Sequence, residues 1–78
     1  MTKEEVLGKL KEIFKDVFDR DIDLTFKTTA KDVQGWDSLT HITIISLVEE
    51  TFSIKFKMKE VISMQNVGDM IDIILRDI

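Results

Sequence analysis

The sequence predicts an all-α bundle of three main helices and one short helix, with a long loop between the first and second. Three observations lead there. Apolar residues recur with the helical period rather than in alternation. Capping residues stand immediately before each long periodic segment. The one stretch that alternates like a strand, Ile54-Lys55-Phe56-Lys57-Met58, has no second strand to pair with.

The first helix is placed at about residues 3–18. Val6, Leu10, Ile13 and Val17 form its stripe, with Leu7, Phe14 and Phe18 beside them. Thr2 and Glu5 have the spacing of a capping box. Lys3, Lys9, Lys11 and Lys15 balance Glu4, Glu5, Glu12 and Asp16, so this helix is neutral. Residues 19–36 have no sustained period and read as an ordered loop pinned by Ile22, Leu24, Phe26 and Val33. Loops of more than about 12–15 residues are uncommon and often functional. The second helix runs from about Ser38 to Thr51, with Asp37 as N-cap. An extended link and a short helix near Met58–Ser63 follow, with Met58, Met64 and Met70 taken as core filler. The last helix runs from about Val67 to Arg76, capped by Asn66, with Asp69 favourably placed in its first turn. Val67, Ile71, Ile74 and Ile78 form its expected core stripe.

Composition narrows the function. The 78 residues make a single domain, 1–78, and a chain this short buries only about 60% of its unfolded surface. There is no Cys and one His, so the usual nitrogen and sulfur ligands of a transition-metal site are missing. No apolar run approaches the roughly 18 residues of a membrane span, and the N-terminus carries acids where a secretory signal would be basic and then apolar. A cytoplasmic monomer without membrane contacts is expected. The net charge of −4 argues against binding nucleic acid by neutralising phosphates and toward basic protein partners.

The second helix is the informative one. At about 100° per residue, Ile44, Ile45, Val48 and Phe52 fall on a core side, with His41 among them. Leu39, Ile42, Thr43, Ser46, Glu49 and Glu50 fall on or near the other side. Two large aliphatic side chains thus point outward beside Ser38, and apolar groups rimmed by polar ones can mark a docking site. The helix has no Lys or Arg, and Asp37, Glu49 and Glu50 give it a charge of −3. Ser38 follows the cap directly, where free backbone N–H groups and the helix dipole favour a negative group such as a phosphate ester.

Gly35-Trp36-Asp37-Ser38-Leu39, then Ile42, then Leu47-Val48-Glu49-Glu50-Thr51-Phe52, Ile54 and Asn66-Val67-Gly68-Asp69, resembles the acyl carrier protein family across nearly the whole chain. The resemblance implies a stand-alone carrier with the acyl-carrier bundle and no enzymatic activity of its own. It implies 4′-phosphopantetheine, taken from coenzyme A and held as a phosphodiester on Ser38, with acyl intermediates carried as thioesters in fatty-acid, polyketide or related biosynthesis. It gives Asp37 the task of engaging the metal of a phosphopantetheinyl transferase. Leu39, Ile42, Glu49 and Glu50 become the surface for that transferase and for acyl-loading and acyl-processing enzymes with basic docking faces. Primary fatty-acid carriers usually have acids at the positions of Thr40 and Thr43 and a bulky apolar residue at that of Ser46. These departures, with Trp36 before Asp37, imply a specialised rather than a housekeeping member. The alternatives are an aminoacyl or peptidyl carrier of a nonribosomal pathway, and an unmodified helical interaction module with the carrier fold.

Other constellations are weaker. Ser38 and His41, three apart on a helix, could approach as nucleophile and base, but no third group orients the imidazole. Asp19, Asp21 and Asp23 match the first ligand positions of a calcium loop, yet Leu24 stands where Gly is needed and Ala30 where Glu is needed. Only weak surface binding of cations is left to them. Lys55, Lys57 and Lys59 read as a solvated basic face.

Overall fold

A computed structural model describes all residues, Met1–Ile78. Four α-helices are joined in chain order: α1 (Lys3–Phe18), α2 (Ser38–Phe52), α3 (Met58–Ser63) and α4 (Val67–Asp77). There is no strand, and residues 54–57 form the extended link. Within the long loop, a single 3-10 turn at Ala30–Asp32, which the sequence did not announce, is closed by the Thr29 N–H donating to Asp32 Oδ2 (2.9 Å).

The helix starts follow from local chemistry. Thr2 and Glu5 exchange N–H bonds of 2.9 and 3.1 Å, completing the capping box of α1. Asn66 Oδ1 accepts the Asp69 N–H at 2.9 Å to cap α4. The first N–H groups of α4 are also taken by the long loop. Val67 N–H donates to the Thr28 carbonyl (2.9 Å) and Gly68 N–H to the Phe26 carbonyl (2.8 Å). A Cβ on Gly68 would lie 2.8 Å from that Phe26 oxygen, so glycine is what permits the approach. The loop is thus stitched to α4 by backbone, and Thr28 is buried beneath it.

α1 packs against both α2 and α4. Val6, Leu10 and Phe14 from α1, Ile44 and Val48 from α2, and Val67, Ile71 and Ile74 from α4 are fully buried in one core with Leu24 and Met70. Four expectations need correction. Phe52 is half-buried and packs at the edge of the core, because α2 ends there and no helix lies beyond it. Met58 is 69% exposed, because it stands on the outer side of α3. Ile78 is half-exposed beyond the last turn of α4. Phe26 is exposed as a side chain, and it is its carbonyl that anchors the loop. α3 is held to α4 at its far end by Arg76, whose guanidinium lies 2.6 Å from Glu60 and 2.9 Å from Asp77. No helix is long and apolar enough to cross a membrane.

Candidate functional site

Gly35 begins the site. Its φ of +92° lies in the left-handed region that glycine adopts without penalty, and its carbonyl accepts the Thr40 hydroxyl at 2.8 Å. This turn delivers Trp36, Asp37 and Ser38 to the start of α2. Trp36 packs edge-on against the buried Phe14 of α1, with ring centroids 5.0 Å apart. The start of α2 is therefore held to the core by an aromatic contact and not only by its cap.

Asp37 Oδ1 accepts the N–H groups of both Leu39 and Thr40 at 3.0 Å, and Thr40 Oγ1 returns the favour by accepting the Asp37 N–H at 2.8 Å. The bond from the Thr40 N–H is the main reason that the Asp37 carboxyl lies below the usual carboxylate range. The sequence suggested that a phosphate ester on Ser38 would itself occupy the free N–H groups of this helix end. The Asp37 carboxylate already holds two of them. Ser38, the first residue of α2, is exposed.

Leu39 is 81% exposed and Ile42 52% exposed, so both aliphatic side chains face outward as the helical phase placed them. Glu50 is exposed as well. Glu49 is different: it is half-buried, and its Oε2 accepts the Phe56 N–H at 2.8 Å. Its backbone carbonyl also accepts the N–H groups of Ser53 and Ile54. Glu49 thus closes the end of α2 and orders the link to α3. Thr40 is likewise a capping residue, and Thr43 turns its hydroxyl back onto the Leu39 carbonyl at 3.2 Å. The outward acid of α2 is Glu50, far along the helix, with Asp37 at its start.

His41 is not free to serve Ser38 as a base. The Trp36 indole N–H donates to His41 Nδ1 at 3.1 Å, and His41 Nε2 lies 3.3 Å from the Val61 carbonyl of α3. An indole nitrogen only donates, so Nδ1 is the acceptor and Nε2 carries the proton that reaches Val61. Both ring nitrogens are committed. Asp19, Asp21 and Asp23 form no site either: no cluster of three acidic or imidazole side chains capable of holding a metal is present.

A groove of about 510 Å³ opens between α2 and α3 directly beside Ser38. Asp37, Ser38, His41 and Ile42 contribute from α2 and its cap, Met58, Val61 and Ile62 from α3, and Met64 and Met70 complete the lining. Its size is that of a small-molecule site. The sequence offered little sign of it. Ile62 is 75% exposed, and with Met58 it places two apolar residues four apart on the outer face of a short helix. That spacing is a signal in the sequence, of which only Met58 is used above, as core filler.

Comparison with known proteins agrees with this geometry. The family model "Phosphopantetheine attachment site" matches residues 8–74. A search of the curated proteins returns no match. Among solved structures, the chain is similar to the holo acyl carrier protein from Geobacter metallireducens, determined by solution NMR. The two share 42% identity with a TM-score of 0.83, over 90% of this chain and 82% of that one. A helical bundle of matching fold, with a phosphopantetheine attachment region spanning most of its length, places this chain in the acyl carrier protein family, and it is a carrier of covalently bound 4′-phosphopantetheine.

Proposed function

We propose that Ser38 is the attachment site and that the chain carries acyl intermediates for a specialised biosynthetic pathway rather than for general fatty-acid elongation. The observation that carries this reading is the exposed Ser38 at the first position of α2, set on the rim of an apolar groove. The residues present fit the group. The Ser38 hydroxyl is open to a transferase, and the groove beside it has the volume and lining for an apolar cargo. When bound, the arm supplies the thiol that holds the acyl group as a thioester. The chain supplies position and recognition. Asp37 uses Oδ1 for the helix cap, which leaves Oδ2 for the metal of the transferase. Leu39 and Ile42 offer apolar contact, and Glu50 with Asp37 offers charge to a basic partner surface.

The specialised assignment rests on Thr40 and Thr43. Each is engaged with backbone, and neither adds charge to the outward face. Enzymes that read a densely acidic second helix find a sparse one here. A cytoplasmic setting, where coenzyme A is available, and action as a monomer complete the reading.

Incubation with coenzyme A and a broad-specificity phosphopantetheinyl transferase, followed by mass spectrometry, tests it. Wild type gains one arm. Ser38→Ala gains none and keeps its helical spectrum, because an exposed hydroxyl contributes little to stability. Modification of Ser38→Ala, or an arm mapped to Ser46 or Ser63, overturns the assignment.

A further inference from the structure

The bridge from Trp36 through His41 to Val61 spans the groove beside Ser38, and its position bears on what cargo can lie there. His41 stands one turn after Ser38 on the face of α2 that continues into the buried Ile44, Ile45 and Val48. A flexible chain tethered at Ser38 and sliding inward along that face meets the imidazole before it meets the core. The imidazole is fixed from both sides. Its Nδ1 is held by the Trp36 indole at 3.1 Å, and its Nε2 reaches the Val61 carbonyl across the groove at 3.3 Å. Trp36 in turn is braced edge-on against the fully buried Phe14. Displacing His41 strands a part-buried indole N–H and a backbone carbonyl, and buried polar groups left without partners are costly. Ile42, Met58 and Ile62, all three exposed, line the open side of the groove, and the buried Met70 is the core residue that lines it with them.

We infer that the Trp36–His41–Val61 bridge is a length gate, closing the groove to the core so that the carrier shelters short acyl groups and leaves the distal part of long ones in solvent. His41 is then a specificity-determining residue. The inference rests on Ser38 bearing the arm, and it adds the class of cargo.

The test is a loaded series. Acetyl, butanoyl, hexanoyl, octanoyl and decanoyl forms are made with the transferase and the matching acyl coenzyme A, on wild type, His41→Ala and His41→Gln. Thioester cleavage by hydroxylamine reports shelter, and the amide-correlation signal of the single Trp indole reports the bridge. In wild type, cleavage slows from acetyl to the short acyl groups and then no further, and the indole signal stays in place across the series. His41→Ala extends the protection, slowing cleavage of the decanoyl form severalfold beyond wild type. His41→Gln, whose amide can accept from Trp36 and donate to Val61, keeps the wild-type profile. Protection in wild type that keeps rising to decanoyl, or an indole signal that moves progressively with chain length, overturns the gate. Those wild-type readings decide the matter even if His41→Ala fails to fold. A chain that takes no arm at Ser38 overturns the attachment reading beneath it and the gate with it, a result distinguishable at once by mass.

Discussion

Replacing Gly68 by alanine asks whether the long loop is held by α4 or merely lies upon it. The added Cβ would sit 2.8 Å from the Phe26 carbonyl oxygen, closer than a carbon and a backbone oxygen tolerate, and in tight contact with the Asn66 side chain at 3.2 Å. The backbone has to move, and two bonds depend on it: Gly68 N–H to Phe26 and Val67 N–H to Thr28. Two such bonds are together worth about 1–3 kcal/mol. Against this stands the helix propensity of alanine, about 1 kcal/mol over glycine in a helix interior and less in the first turn. The net expectation is a loss of about 1–2 kcal/mol from the balance of the lost bonds and the propensity gain. A domain of this size shifts its melting temperature by about 4–8 °C per kcal/mol. Thermal unfolding followed by circular dichroism, with urea titration for the free energy, measures it. Gly8→Ala is the internal control. Gly8 lies mid-helix in α1 with nothing within 4 Å of a Cβ, so there the propensity acts alone and stability should rise by up to about 1 kcal/mol. If Gly68→Ala melts at or above wild type, the loop carbonyls are not what secures the start of α4.

Phe14→Ala should cost about 3–5 kcal/mol in urea titrations, since Phe14 is fully buried and supports Trp36, whereas Phe52→Ala should cost clearly less; equal losses would show that the end of α2 is as tightly packed as the centre of the core. Acid should destabilise the domain through three capping carboxylates and the Asp77 partner of Arg76. The carboxyls of Glu5, Asp37, Glu60 and Asp77 all lie below their ordinary range when folded, the first three chiefly through backbone N–H bonds and the last through Arg76. Their stabilisation is therefore complete above the unfolded values near about 4 and is lost as pH falls through the lower folded values; stability that holds level from neutral to strongly acidic pH would contradict this. Glu50→Lys should slow transfer to a cognate enzyme more than Asp72→Lys on α4. The difference should shrink with salt as the Debye length falls from about 10 Å at 0.1 M to about 3 Å at 1 M. Equal effects would remove α2 as the docking element.

The parts of this molecule legible in the sequence are those decided by neighbours in the chain. Thr2, Asp37 and Asn66 cap helices because a side chain reaches N–H groups two or three residues on, and the stripe of α1 follows from its period. Ser38 is legible because its motif is contiguous. What the period could not supply is where the opposing element stops. Phe52 at the last residue of α2, Met58 at the first of α3 and Ile78 just past α4 all stand at helix ends, and each misses full burial there. The groove and its bridge depend on His41 and Val61, twenty positions apart, coming face to face. Glu49 and Glu50 look alike in the sequence, because charge on an outward face reads the same whether it meets solvent or also bends back to a loop amide.

That last feature bears on how this carrier could be retargeted. Transplanting the docking surface of another carrier onto α2 looks like an exchange of every outward residue. The outward residues here are of two kinds, however. Leu39, Ser46 and Glu50 bear on no loop and line no part of the groove beside Ser38, and substitutions there change only what a partner meets. Thr40 and Glu49 are joints: one locks the turn that presents Ser38, and the other fastens the link that sets α3 in place. A graft that overwrites position 49 with a foreign side chain would import the new surface and at the same time loosen one wall of the groove. Retargeted chimeras of this chain should therefore be built around Thr40 and Glu49, leaving both as they stand.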